Sequence, residues 1–190
     1  PPPPTWTDCA GGYVALTYDD GVSAGTTALV NKLKESNVKA TFFDVGQNVV
    51  ANPSLAALQA TQGSVQNHSY THSSMSGEST GTSPLTQAQI TQELTQTQTA
   101  IFNATGTTPT QFRSPYGDDS PTLTTVEQSL GLLEVLWSVD TNDWQGLTAA
   151  QIAATALTAQ PGGIVLMHDN KPATVAAIPL IVQGLQAKHQ

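Results

Sequence analysis

Basic side chains are scarce in this sequence. Its 190 residues include 6 lysines and arginines against 14 aspartates and glutamates, which gives a formal net charge of −8. A protein that binds nucleic acid or an anionic membrane needs a basic patch, and this sequence contains no basic run. Apolar runs are also short, and none approaches the ~20 residues that a membrane-spanning helix needs. We therefore expect neither nucleic acid nor membrane as a partner.

Charged residues of both signs make up only 11% of the sequence. Serine, threonine, asparagine and glutamine are abundant instead, a composition common among secreted proteins that act on carbohydrate. The sequence shows no signal peptide, so we expect a mature secreted, extracellular domain. The proline run over residues 1–4 predicts an N-terminal Pro-rich arm over residues 1–10. Residues 11–190 then form one domain that is long enough to bury a core.

Cys9 is the single cysteine, and it lies just before the first predicted strand. An odd cysteine in a secreted chain suggests either a disulfide with a cysteine outside the given sequence or a free thiol. We hypothesise that Cys9 forms a disulfide with a cysteine beyond Gln190, which would link the two ends of the domain. Two N-glycosylation sequons begin at Asn67 and Asn103. We expect Asn67 to be too enclosed for a glycan and Asn103 to be accessible.

Strand-like and helix-like segments alternate along nearly the whole chain, which predicts a largely parallel sheet with helices outside it. About seven such units fit a barrel better than an open sheet, although the count does not separate the two. Capping boxes at Thr86 and Thr148 open two of the helices, and Gly106 ends the first of these. The predicted strands cover 13–18, 39–45, 64–67, 111–113, 133–139 and 163–167; the other predicted helices cover 24–36, 53–61, 121–130 and 174–188.

Two adjacent carboxylates, Asp19 and Asp20, follow the first strand and precede Gly21. Neighbouring side chains on a strand point to opposite faces, so two charges in a row indicate that the strand has just ended. At that position one carboxylate could bind a cation and the other could accept or donate a proton. A solvated turn is the alternative, because Asp-Asp-Gly is common turn chemistry.

Two histidines, His68 and His72, follow the third predicted strand at a spacing of four residues. This spacing lets both imidazoles bind one divalent ion, from a helical turn or from a curled loop, although such pairs are often structural. A carboxylate from Asp19 or Asp20 would complete a ligand set that leaves positions open for water and substrate. Zinc, cobalt, nickel or iron suits such donors, and the residues alone do not choose between them.

Three more polar groups follow strands. Arg113 is the only arginine in the sequence, and a guanidinium can fix a carboxylate through parallel hydrogen bonds. Asp143 and Trp144 follow another strand, and His168 ends the last one. A histidine beside a carboxylate stays protonated to higher pH, as a general acid requires. Active sites of parallel barrels collect at the carboxyl ends of the strands, so this distribution predicts an enzyme.

The segments TYDDG, HSYTH, RSPYG, DTNDW and IVLMHD resemble, in this order, the five motifs of the polysaccharide deacetylase family, also called carbohydrate esterase family 4 or NodB-like. The resemblance covers the chain from about residue 11 to residue 187. It is greatest to single-domain secreted acetylxylan esterases and chitin deacetylases. The fold that it implies is α/β, a distorted (β/α) barrel of about seven strands in a single domain.

The resemblance also implies roles for the residues of the first three motifs. Asp20, His68 and His72 would bind one divalent metal ion, for which we expect zinc, with cobalt or nickel as alternatives. Asp19 would be the general base, and Arg113 would orient it.

The later motifs would supply the rest of the site. His168 would be the general acid, tuned by Asp143, and the backbone N–H of Tyr116 would help to hold the oxyanion. Trp144 and Leu166, with Tyr116, would form the pocket for the acetyl group. The implied reaction is metal-dependent hydrolysis of acetyl groups from a polysaccharide, either acetylxylan esters or an N-acetylglucosamine polymer such as chitin, by a monomer.

Two alternatives stay open at this point. One is a carbohydrate-binding or zinc-binding module without catalysis, whose signature would be loss of Asp19, Arg113 or His168 with the metal ligands kept. The other is a zinc hydrolase that acts on a different substrate, such as a peptide amide. All of the catalytic groups are present, which favours the deacetylase.

Overall fold

Seven parallel strands form one curled sheet in the computed structural model, which describes residues 12–188. The strands are β1 (Ala15–Gly21), β2 (Ala40–Asp44), β3 (Gly63–Asn67), β4 (Gln111–Phe112), β5 (Leu133–Glu134), β6 (Val139–Asp140) and β7 (Ile164–His168), in the spatial order β5-β4-β3-β2-β1-β7-β6. This arrangement confirms the predicted distorted (β/α) barrel of about seven strands in a single domain. The predicted N-terminal arm, Cys9 and His189 lie outside the described residues.

Helices surround the sheet. They are α1 (Thr26–Glu35), α2 (Gly46–Ala51), α3 (Pro53–Ala60), α4 (Gln87–Thr105), α5 (Pro121–Leu130), α6 (Ala149–Ala156) and α7 (Pro172–Ala187). Both predicted capping boxes are present, since Thr86 and Thr148 each accept a hydrogen bond from the backbone N–H three residues later. Helix α4 ends at Gly106, which has the left-handed backbone that glycine favours. None of the helices within residues 12–188 is long and apolar enough to cross a membrane.

The alternation of side chains along the central strands separates the core from the barrel interior. Tyr18, Phe42 and Met167 point outward and pack in the main core cluster under the helices. From the helices, the buried residues of this cluster include Leu29, Val30, Leu33, Ile178, Ile181 and Leu185. Burial of each such large side chain contributes about 1.5–3 kcal/mol, so the outward faces of the strands hold the helices in place.

The opposite faces of the same strands line the inside of the barrel. Thr17, Phe43 and Ile164 border a cavity of about 780 Å³ at the amino-terminal ends of the strands. Asp19 follows Thr17 on the same face, one step nearer the carboxyl ends. The cavity therefore extends from the amino-terminal ends of the strands to Phe43, which is paired with Asp19 in the sheet.

The predicted continuous strand over 133–139 is wrong. The structure has two short strands there, β5 and β6, at opposite edges of the sheet, with residues 135–138 between them. The backbone carbonyls of Val135 and Leu136 accept hydrogen bonds from Arg113 Nε and Nη2, at 2.8 and 3.1 Å. The buried Arg113 side chain thus supplies the hydrogen bonds that a neighbouring strand would otherwise donate to these two carbonyls. The prediction also missed α2, a short helix whose sequence carries little apolar periodicity.

Candidate active site

The polar motifs converge at the carboxyl ends of the strands. Asp19 lies in β1 and His168 ends β7, where the two residues are paired in register. His68 and Arg113 follow β3 and β4, and Asp143 follows β6. Five separate strands therefore deliver the candidate residues to one mouth of the barrel, as predicted.

The two adjacent carboxylates of β1 both face this mouth because the strand is irregular at that point. The register between β1 and β2 shifts between Asp19 and Gly21. Asp20 itself has a φ of 67°, in the left-handed region that residues other than glycine rarely adopt. Regular alternation would send its side chain outward with that of Tyr18. The irregularity instead brings Asp20 to the same histidine as Asp19.

Asp20, His68 and His72 form a cluster that could hold a metal ion. Oδ1 of Asp20 lies 3.7 Å from Nε2 of His68 and 3.2 Å from Nε2 of His72. One ligand atom from each residue lies within 4.8 Å of the other two. Among the residues that the structure describes, this is the only such group of three or more histidine, cysteine and acidic side chains.

Two donors of this cluster, His68 and Asp20, are in the states that a divalent ion requires. Nδ1 of His68 lies 2.7 Å from the carbonyl oxygen of Arg113, so a proton on Nδ1 leaves Nε2 free to bind metal. Burial lowers the pKa of His68, which keeps the imidazole neutral. Burial alone would raise the pKa of Asp20, but the hydrogen bond with His72 and the other imidazoles around the carboxylate outweigh it and lower the pKa to about 2. The residues present therefore fit a divalent metal.

His72 is presented by a curled loop, one of the two possibilities that its spacing from His68 left open. Ser69 and His72 both have positive φ, at 64° and 60°. Oδ1 of Asn67 accepts a hydrogen bond from Ser69 N–H at 2.9 Å, and Oγ of Ser69 accepts one from His72 N–H at 3.1 Å. Asn67 is fully buried, as the sequence analysis predicted for this sequon.

Arg113 is fully buried and contacts the candidate base directly. Its Nη1 donates to Oδ1 of Asp19 at 2.7 Å and to Oγ1 of Thr17 at 2.8 Å. The guanidinium also lies 4.2 Å above the ring of Phe43. Because Arg113 binds Oδ1, the second oxygen of Asp19 remains for the site, where it lies 3.8 Å from Nε2 of His68. The sequence led us to expect two parallel hydrogen bonds from Arg113 to a carboxylate, but one bond is present, because Nε and Nη2 donate to the carbonyls of Val135 and Leu136 instead.

His168 and Asp143 form the second charged pair of the site. Nδ1 of His168 lies 2.6 Å from Oδ1 of Asp143, and the His168 backbone N–H donates to Oδ2 at 2.8 Å. Burial alone would lower the pKa of His168, but the hydrogen bond and charge of Asp143 outweigh it and raise the pKa. Nε2, the other ring nitrogen, is then available to donate a proton.

The remaining predicted residues surround these pairs. The rings of Tyr116 and His72 make an edge contact with their centroids 4.9 Å apart, and the Tyr116 backbone is left-handed with a φ of 63°. Trp144 follows Asp143 and is 56% exposed. Leu166 lies two residues before His168, on the same face of β7, and is buried. Aromatic surface and a buried apolar side chain thus adjoin the polar groups.

Two contacts of the site were not predicted. Thr174 donates a hydrogen bond to Oδ2 of Asp143, and Glu93 of α4 accepts hydrogen bonds from the loop that carries His72. The carboxylate of Asp169, the next residue after His168, accepts hydrogen bonds from Ser23 and Thr26 instead of from the site. No local pattern marks these residues, because each contact joins segments far apart in sequence.

Comparisons with known proteins agree with the geometry. A profile of the polysaccharide deacetylase family matches residues 8–135. The chain is 42% identical over 179 residues to a bifunctional xylanase/xylan deacetylase of Cellvibrio japonicus, covering 93% of this chain and 26% of that protein. It is 36% identical over 178 residues to the peptidoglycan-N-acetylglucosamine deacetylase PgdA of Listeria monocytogenes, covering 92% of this chain and 36% of that protein. The chain thus spans about a quarter to a third of the length of these relatives.

A solved structure extends the similarity to three dimensions. The family 4 carbohydrate esterase from Streptomyces lividans, in complex with acetate, matches with a TM-score of 0.88 and 43% sequence identity. The match covers 94% of this chain and 90% of that chain. Five ordered motifs, the strand-end geometry and these comparisons lead to the same conclusion. The chain belongs to the polysaccharide deacetylase family.

Proposed function

We propose that this chain hydrolyses acetyl groups from a polysaccharide with the help of one divalent metal ion. The observation that carries the proposal is the convergence of three groups at one barrel mouth. These are the Asp20, His68 and His72 cluster, the Asp19–Arg113 pair and the His168–Asp143 pair. A module that only bound sugar or zinc would need the first group and neither of the other two.

Asp19 and His168 would move the protons of the reaction. A divalent metal bound by Asp20, His68 and His72 would supply a Lewis acid that lowers the pKa of water and polarises the acetyl carbonyl. The Asp19 carboxylate, held through Oδ1 by Arg113, would accept the proton of the attacking water. His168, kept protonated by Asp143, would donate a proton from Nε2 to the departing sugar oxygen or nitrogen, and acetate would leave.

Tyr116, Trp144 and Leu166 would bind the substrate. The Tyr116 backbone N–H would donate to the developing oxyanion, and buried Leu166 would contact the acetyl methyl. Exposed aromatic rings such as Trp144 and Tyr116 suit the apolar faces of sugars, so a polymer could lie across the open mouth. Catalysis at an open surface fits a secreted enzyme, and we propose extracellular action as a monomer.

The names of the relatives support a proposal for the substrate class. One is named as a xylan deacetylase and the other as a peptidoglycan-N-acetylglucosamine deacetylase. We propose acetylated xylan, an ester, or an N-acetylglucosamine polymer, an amide, as the substrate. Zinc is the metal that we propose, since two imidazoles and one carboxylate are donors typical of catalytic zinc.

The test is acetate release by the zinc-loaded protein, side by side on acetylated xylan and on a chitooligosaccharide. Protein stripped of metal serves as the control. We expect metal-dependent release from at least one of the two, and their relative rates rank ester against amide. Zinc bound at one equivalent without acetate release from either substrate would overturn the proposal.

A further inference from the structure

Glu93 lies on helix α4, away from the motifs that carry the candidate site, yet its carboxylate contacts the loop between the two histidines. We propose that Glu93 is a positioning residue, which holds the loop of residues 69–72 so that His72 faces Asp20 and His68. The inference rests on the proposed function, because it takes these three residues as the metal ligands.

The contacts of Glu93 are concentrated on the middle of this loop. Oε2 accepts hydrogen bonds from the backbone N–H groups of Tyr70 and Thr71, each at 2.8 Å. Oε1 accepts a third hydrogen bond, also at 2.8 Å, from Oγ1 of Thr71. All three bonds have a charged acceptor, and hydrogen bonds of this kind are stronger than those between neutral groups. A single side chain thus fixes the two residues immediately before His72.

The loop needs support from outside because its backbone is unfavourable for its own residues. Ser69 and His72 both occupy the left-handed region, which glycine adopts readily and other residues rarely do. The loop contains no glycine. Such conformations persist only where surrounding contacts determine them. The three bonds to Glu93 are contacts of that kind.

Other contacts hold the two ends of the loop differently. Its first half is also fixed by the backbone of α2, since Gly46 N–H donates to Ser69 and Gln47 N–H donates to Tyr70. His68 has its own anchor in the carbonyl of Arg113. Around Thr71, by contrast, the bonds that reach another element go to Glu93. Loss of Glu93 should therefore release His72 while His68 stays in place, so that metal binding weakens without being abolished.

The experiment is calorimetric titration of zinc into metal-free protein, for the wild type and for Glu93→Ala and Glu93→Gln. Gln92→Ala is the matched control, since Gln92 is an exposed neighbour on the same helix. We expect a Kd about 10- to 100-fold weaker for Glu93→Ala, the range typical of groups that support metal ligands. Glu93→Gln keeps one acceptor oxygen and should lie between Glu93→Ala and the wild type, whereas Gln92→Ala should match the wild type.

The absorption spectrum of the cobalt-loaded protein gives a second readout, which a general loss of stability would not change. We expect altered cobalt bands in both Glu93 variants and wild-type bands in Gln92→Ala. If Glu93→Ala does not fold, the zinc Kd and the cobalt bands of Glu93→Gln and Thr71→Val are compared with those of the wild type instead. A Kd within twofold of the wild type and unchanged cobalt bands in the folded Glu93 variants would overturn the inference. These readouts need no turnover, so wild-type protein that binds metal and releases no acetate would contradict the proposed function alone.

Discussion

Arg113 donates a hydrogen bond of 2.7 Å from Nη1 to Oδ1 of Asp19, and both side chains are buried in the barrel. The contact joins the end of β4 to β1, across the two strands that lie between them in the sheet. It accounts for the single arginine of the sequence and leaves one carboxylate oxygen of Asp19 for chemistry. The pair therefore belongs both to the buried interior of the barrel and to the candidate site.

Replacement of Arg113 should destabilise the fold strongly. Arg113→Met leaves the buried carboxylate of Asp19 without a compensating charge, which typically costs about 3–5 kcal/mol. The free energy of unfolding in urea measures this loss. The double variant with Asp19→Asn should recover part of it, because no uncompensated charge is left. A double variant as unstable as Arg113→Met would show that the carbonyls of Val135 and Leu136, not Asp19, account for the effect.

Asp143→Asn should change the pH dependence of acetate release. Loss of the Asp143 charge lowers the pKa of His168, and a general acid works only below its own pKa. The alkaline limb of the rate profile should therefore move to lower pH. Thr174→Val, which removes a hydrogen bond to Asp143 and keeps its charge, should leave this limb near the wild-type position. An unmoved limb in Asp143→Asn would contradict the assignment of His168 as acid.

His168→Ala should affect amide hydrolysis more than ester hydrolysis. An amine leaving group needs protonation before it departs, whereas a sugar alkoxide depends on it less. We expect a loss of roughly 100-fold or more in kcat on the chitooligosaccharide and a smaller loss on acetylated xylan, within the usual range for general acid catalysis. Kinetics on both substrates measure the difference, and equal losses would argue against proton donation by His168.

Glu127, which lies outside the candidate site, should make the stability of the fold depend on pH. Burial, followed by the charges of Glu134 and Asp119, raises its pKa to about 7. The pKa of Glu127 in the folded protein therefore lies above its pKa in the unfolded chain, so the folded state favours the protonated carboxyl. The contribution of this protonated Glu127 to the free energy of unfolding is complete at acidic pH and is lost as the pH rises through about 7. Glu127→Gln should therefore raise the Tm at pH 8 and change it little at pH 5.

The control for this prediction is Glu78→Gln, which neutralises an exposed carboxylate. It should leave the difference in Tm between the two pH values unchanged. If Glu127→Gln gave the same Tm change at pH 5 and at pH 8, the titration of Glu127 would not be the cause.

Much of the fold was predictable because the strands end where the polar motifs begin. The apolar run before Asp19 and the run before His168 indicate buried strands, and the structure pairs these two residues in register. The site could be predicted from the same residues, since the carboxyl ends of parallel strands share one edge. The motif resemblance then assigned each residue a role.

The features that could not be predicted depend on contacts between segments that are distant in sequence. The strand expected over 133–139 is interrupted because Arg113, about twenty residues earlier, takes up the carbonyls of Val135 and Leu136. In the sequence, Glu93 cannot be distinguished from the other polar residues on the outer face of its helix. Its contact with Tyr70 and Thr71 exists only in the folded structure. The positive φ at Asp20 likewise has no local signature, because glycine would be the usual residue in that conformation.

The most direct test of the account is acetate release by zinc-loaded Asp19→Asn, with the bound zinc measured in the same sample. Asp19 is placed as the base and not as a metal ligand, so the variant should retain zinc close to one equivalent. Its rate should fall by roughly 100- to 10,000-fold, the usual contribution of a general base. A zinc-loaded variant that releases acetate at the wild-type rate would contradict the account.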